Sequence, residues 1–205
     1  MKKFKLTSEF IVDISGVKLF RIKALIEFGN VKAGDLGGYI EKEENLSHMG
    51  DAWVSDDARI SGNAQVFGNA QVFGNAQVFG DARVFGNARV FGNARVSGNA
   101  QVFGNARVFG NAWVSGNARV SGDAQVFGDA RVSGDKDYAY AHGFGSCNRT
   151  TTFFRLKDGD VGVRCGCFYG TLAQFRDKVC ETHGETKKAQ EYLMLADLME
   201  IRFKN

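Results

Sequence analysis

GNAQVF (62–67), GNARVF (86–91), GNARVS (92–97) and GDAQVF (122–127) are variants of one six-residue phrase that fills residues 50–135. The aliphatic position recurs at Val54, Ile60, Val66, Val72 and every six residues to Val132, fourteen rungs without an insertion. Ala stands two places earlier in every rung, from Ala52 to Ala130. Residues two apart in a strand share a face. Ala and Val therefore point one way, and the Gln, Arg or Trp between them points the other. The Gly-Asn or Gly-Asp that follows supplies the bend, because these residues tolerate positive φ at little cost.

Fourteen equal short strands do not make a hairpin sheet, whose strands are longer and less uniform. They make a solenoid, in which each rung buries its face only when neighbours cover it. The phrase resembles the hexapeptide repeat of left-handed β-helix proteins, with an aliphatic residue inside and a small residue two before it. That resemblance implies a triangular coil of three rungs, about five coils in all, and it alone supplies the handedness. Three rungs per coil make column partners eighteen residues apart. The residue after each Val then falls into three columns: Ser55, Phe73, Phe91, Phe109, Phe127; Phe67, Phe85, Phe103, Ser121; and Ser61, Phe79, Ser97, Ser115, Ser133. Phe holds seven of nine places in the first two columns and one of five in the third, a period that a six-residue repeat does not require.

A chain of 205 residues suffices for one elongated body with additions at its ends. It has no Pro and 26 Gly, most of them the corner residue of the repeat. Residues 50–135 carry seven Arg and seven Asp, so no segment forms the basic patch that nucleic-acid binding needs. Direct nucleic-acid contact is accordingly not expected. The start, MKKFKLTSEF, leads into neither a long apolar run nor a cleavage site, so neither signal peptide nor membrane span is expected. The expected location is the cytoplasm, with the four Cys as thiols.

Outside the repeat, residues 1–45 read as an N-terminal β cap. KFKLT and FIVDI, a turn at Ser15-Gly16 and VKLFRIKALIEF make a meander. The Gly-rich, then acidic run from Val31 to Leu46 leads into the first coil, with the repeat body spanning 46–135. Its bland role is to cover open strand edges; a ligand loop at Gly34 to Gly38 would need phosphate-loop spacing, which is missing. Residues 136–149 read as a linker or last irregular coil, and 150–205 as a ββαα domain. There TTFFRLK (151–157) and DVGVRCGC (160–167) flank Asp158-Gly159, a hairpin signal. Thr171 with Gln174 is a capping box ahead of a helix carrying Leu172, Phe175 and Val179, with Gly184 as its cap. Thr186 starts a second helix with a stripe at Ala189, Tyr192, Leu193, Ala196 and Met199. GDLGGYIEKEENLS near the front and TTFFRLKDGDVGVRCGCFYGTLAQF near the back look like the ends of uncharacterised phage and prophage proteins built around hexapeptide coils. That likeness implies an origin and no chemistry.

The residues bear on three classes of function. Many left-handed β-helix proteins are CoA-dependent acyltransferases using a His base in an extruded loop. Here the coils contain no His: His48 precedes the first rung, His142 follows the last and His183 ends a helix. A metal site would draw on Cys147, Cys165, Cys167 and Cys180 with His183. Alternation puts Cys165 and Cys167 on one strand's same face, but Cys-x-Cys lacks the usual zinc knuckle, and Cys180 is expected on the helix's apolar side. No metal and no cofactor are therefore expected, nor a Cys167–His183 nucleophile pair.

The third class is a non-catalytic binding protein, and it is the reading adopted. Stacked Phe73, Phe91, Phe109, Phe127, Phe67, Phe85 and Phe103 would form an apolar patch that something must cover. Trp53, Trp113, Arg89 and Arg107 join them as interface candidates. The expected partners are another copy of the chain, as dimer or trimer, and a host protein. The phage-like ends suggest an accessory role such as inhibiting a CRISPR effector, in the host cytoplasm. A self-assembling scaffold and a nucleotide-binding sponge are the alternatives.

Overall fold

The protein is described by a computed structural model covering residues 2–145 and 149–204. Strands β4 (Trp53–Val54) to β17 (Arg131–Val132) are the fourteen rungs, each two residues long. They stack into three parallel walls. The first wall is β4, β7 (Gln71–Val72), β10 (Arg89–Val90), β13 (Arg107–Val108) and β16 (Gln125–Val126). The second holds β5 (Arg59–Ile60), β8 (Gln77–Val78), β11 (Arg95–Val96), β14 (Trp113–Val114) and β17. The third holds β6 (Gln65–Val66), β9 (Arg83–Val84), β12 (Gln101–Val102) and β15 (Arg119–Val120). Partners lie eighteen residues apart, as in Val72↔Val90↔Val108, so three rungs complete a coil and about five coils make the parallel β-solenoid.

Every Ala and aliphatic residue of the rungs is buried in one continuous core. Fully burying one such Val contributes roughly 1.5–3 kcal/mol, and no single rung can bury its own. The corners need Gly for two reasons, seen at Gly86. Its φ is +69°, and a Cβ there would stand 3.0 Å from the Gly104 nitrogen of the next coil. Among the described residues only Asp56 takes a positive φ without being Gly.

The solenoid begins before the repeated phrase does. Strands β1 (Phe4–Val12), β2 (Lys18–Ala24) and β3 (Leu36–Ile40) form an antiparallel meander, and β3 then pairs in parallel with β5. One eight-stranded sheet results. Ile40 and Leu46, six apart, face the core and pair with Ile60 and Val66. Their offset is twenty and not eighteen, so an extra pair of residues before Val54 hides this partial coil from a search by period. The glycines at 37 and 38 are structural: a Cβ on Gly37 would lie 2.6 Å from the Val54 carbonyl oxygen and 2.7 Å from the Trp53 ring. Lys3 closes the end, buried, with its Nζ donating to the carbonyls of Gly50 (3.1 Å) and Ala52 (2.7 Å).

At the other end, β18 (Tyr138–Phe144), β19 (Arg149–Arg155), β20 (Val161–Cys165) and β21 (Phe168–Thr171) form an antiparallel sheet in that order. The expected hairpin across Asp158-Gly159 is its central pair. Helices α1 (Leu172–His183) and α2 (Lys187–Phe203) follow, with the Thr171–Gln174 capping box formed and Thr186 capping α2. Alternation along β19 joins the two bodies. Phe154 enters the solenoid core, and Phe153 enters the core under the helices. This C-terminal unit is a lid on the solenoid: Thr152 Oγ1 accepts from Gln125 N of the last coil at 2.9 Å, while the repeat's own Asp135 carboxylate accepts from Arg119 N at 2.9 Å.

Candidate functional site

The residue after each inward Val turns outward at a corner, and the coil rise stacks like on like. At the corner after the first wall, Phe73, Phe91 and Phe109 lie 4.8 Å apart with planes within 8°. Phe127 follows at 4.5 Å, and Tyr169 of the lid closes the column edge-on at 4.8 Å. At the corner after the third wall, Phe67, Phe85 and Phe103 stack at 4.9 and 5.0 Å. The Arg119 guanidinium lies 5.8 Å from the Phe103 ring. Isolated aromatic pairs prefer offset or edge-on geometry; here the backbone spacing of about 4.8 Å imposes the parallel one. Each ring is half-buried, because its column neighbours cover its faces and leave mainly the edges to water. Phe79 stands between Ser61 and Ser97 and lines a cleft of about 230 Å3 with Ile14 of the β1–β2 turn and Leu19 of β2.

The wall positions carry Gln, Arg and Trp. On the second and third walls no two Arg are adjacent in a column: Arg59, Gln77, Arg95, Trp113, Arg131 and Gln65, Arg83, Gln101, Arg119. On the first wall Arg89 and Arg107 are paired neighbours. The two tryptophans differ. Trp53 is 7% exposed and packs against Phe4 and Phe28, so its ring is used inside the chain. Trp113 is 38% exposed, donates from Nε1 to Ser97 Oγ at 3.0 Å and lies under Arg131.

A feature not read from the sequence is the asparagine ladder at the corners. Asn69 Nδ2 donates to Asn87 Oδ1, Asn87 to Asn105 and Asn105 to Asp123, at 3.0–3.2 Å. A second runs Asn75, Asn93, Asn111, Asp129. A carboxylate only accepts, so the Asp at each end sets the direction of the whole row. The interchange of GN and GD in the phrase was the available signal.

Two cavities open on the first wall. The larger, about 600 Å3, lies between Gly29–Val31 and Asp51, Trp53, Ser55, Gln71, Phe73 and Arg89. The next, about 400 Å3, is lined by Asn87, Arg89, Asn105, Arg107, Asp123 and Gln125, sharing Asn87 and Arg89 with the first.

The cysteine candidates are arranged otherwise than expected. Cys165 ends β20 and Cys167 follows Gly166 in the tight turn to β21, so the two flank a corner and do not share a strand face. Cys180 is exposed, one residue past the buried Val179, because a helix turns about 100° per residue. Cys147 lies outside the described residues. Cys165, Cys167 and His183 do line one cleft of about 240 Å3 with Phe168, Phe175 and Tyr192. The Thr151 hydroxyl donates to Cys165 Sγ at 3.2 Å. Among the described residues no three His, Cys, Asp or Glu side chains are grouped to hold a metal. His48 stacks on Phe4 and accepts from Lys3 N at 3.2 Å, while exposed His142 meets Thr150 Oγ1 at 2.9 Å. No described helix is long and apolar enough to cross a membrane.

Coil geometry and repeat together define a β-solenoid repeat protein. The family described as YdcK Beta solenoid repeat matches residues 58–74, 76–90, 88–102, 100–116 and 112–125, so the middle of the chain is similar to that family. No curated protein matches the chain.

Proposed function

We propose that the chain is a non-catalytic accessory protein of phage or prophage type that binds a macromolecular partner through its solenoid faces and terminal units. One observation carries this reading: fourteen rungs run without an extruded loop. A rung that held a catalytic group would have to differ from its neighbours, and a regular prism offers instead a broad contact surface, the common use of solenoids. The corner edges of Phe91 and Phe109 and the wall residues Arg89, Arg107 and Trp113 are the contact candidates. The phage-like ends favour a bacterial defence effector, such as a CRISPR effector, as the partner. Self-association as dimer or trimer is the companion proposal.

The test is capture of tagged protein from host lysate together with sizing by light scattering. Phe91→Asp and Phe109→Asp are compared with the unaltered chain, their fold checked by circular dichroism. Folded variants that lose a partner or a subunit contact support the reading. Folded variants that keep the same mass and every partner remove the Phe corners from it.

A further inference from the structure

The Phe column at the first corner has unequal ends. At the lid it closes on Tyr169 and on the Arg164 guanidinium, 5.6 Å from the Phe127 ring. At the other end Phe73 has Phe91 on one face, while the next residue in its column is Ser55, which bears no ring. Among the described residues no aromatic ring covers that second face, and the 600 Å3 cavity is lined by Ser55, Phe73 and Trp53 there. A planar ring entering the cavity would extend the stack by one member.

A separate observation on the same wall points to an anion. Arg89 and Arg107 are register partners on adjacent strands, about 4.8 Å apart by strand spacing. Like charges directly opposite on neighbouring strands are destabilising. Neither side chain has a hydrogen-bond or ion-pair partner among the described residues, and the other two walls separate their arginines with Gln or Trp. An anion between the two guanidinium groups would relieve the repulsion through charge-assisted hydrogen bonds. Because Arg89 lines both cavities, the ring site and the cation pair lie within one groove.

We infer that this groove binds a nucleotide, with its base stacked on Phe73 and its phosphates held by Arg89 and Arg107. Gln71 and the Asp51 carboxylate, both lining the cavity, meet the edge of the base, Gln71 donating or accepting and Asp51 accepting from an exocyclic amine. Asp123 closes the far end of the second cavity and limits how far a phosphate chain extends. Arg89 and Arg107 are also contact candidates for a macromolecular partner, whereas the open face of Phe73 and the cavity beside Ser55 belong to this site alone.

Trp53 lines the groove, and the chain has one other tryptophan. In a Trp113→Phe background its fluorescence reports the site directly. This protein would be titrated with ADP, adenosine and pyrophosphate, with calorimetry in parallel. ADP is expected to bind saturably and adenosine at least tenfold more weakly. Arg89→Gln/Arg107→Gln is expected to lower ADP to the adenosine level. Phe73→Ala should weaken ADP at least tenfold, in keeping with the value of base–aromatic stacking. Ser55→Phe is the decisive variant: its ring would take the stacking place, so binding is lost while the melting temperature does not fall. ADP without effect at millimolar concentration would overturn the inference, as would undiminished ADP affinity in folded Ser55→Phe. Pyrophosphate binding as tightly as ADP, unaffected by Phe73→Ala, would reduce the site to an anion site and overturn the stacking.

Discussion

Phe91→Ser tests whether the stacked columns hold the solenoid together. The corner backbone accepts Ser without change, since Ser61, Ser97, Ser115 and Ser133 occupy the equivalent place at another corner. The substitution therefore removes the ring alone. Phe91 stacks on Phe73 and Phe109, both at 4.8 Å. Each aromatic pair contributes about 0.5–1.5 kcal/mol beyond area burial, so two pairs amount to about 1–3 kcal/mol. Loss of half-buried ring area adds roughly 1 kcal/mol. Phe79→Ser supplies the control, because Phe79 is flanked in its column by Ser61 and Ser97 and loses area only. Guanidinium unfolding followed by circular dichroism gives the comparison, read from midpoints at constant slope. Phe91→Ser should be the more destabilising by about 1–3 kcal/mol. Equal losses in the two variants would refute the claim that ring stacking contributes beyond burial.

Burial holds the Lys3 amine at about 8, below its ordinary 10.5. The unfolded chain then binds more protons between these values, so stability rises with pH across that window and is lost as pH falls through 8. Between pH 7.5 and 9.5 the gain should be about 2 kcal/mol, absent in Lys3→Met; a flat profile in the unaltered chain would show that the Gly50 and Ala52 carbonyls keep the ammonium charged. The window stops short of Tyr138 and Tyr169, which burial raises above the usual range. Asn87→Asp should cost about 1 kcal/mol by removing the donor to Asn105, whereas Asp123→Asn, at the accepting end, should change the unfolding midpoint little. Similar losses in both would mean that the ladder has no direction.

Legibility in the sequence followed how local each cause is. The turn at Asp158-Gly159, the capping box at Thr171 and the apolar stripes of both helices depend on residues a few positions apart, and each appears where the spacing puts it. The partial coil at Ile40 and Leu46 escaped because its offset from the next coil is twenty residues. Strand β18 escaped because AYAHGF mixes small residues and Gly with few strand formers. Cys180 was misplaced by a single helical position. The first-wall groove could not be read, since Gly29–Val31, Ser55, Phe73 and Arg89 meet only once three coils and the N-terminal loop are assembled.

By itself the sequence determined the repeat length and the inward Ala and Val, because a strict six-residue period puts every aliphatic residue on one face; three rungs per coil were implied by the family resemblance and matched by the eighteen-residue recurrence of Phe, and the strand pairing shows them. Only the tertiary structure decided which rings cover one another, where each column stops and which arginines become neighbours. Those outcomes depend on residues eighteen or more apart, and on two terminal units whose docking no repeat specifies.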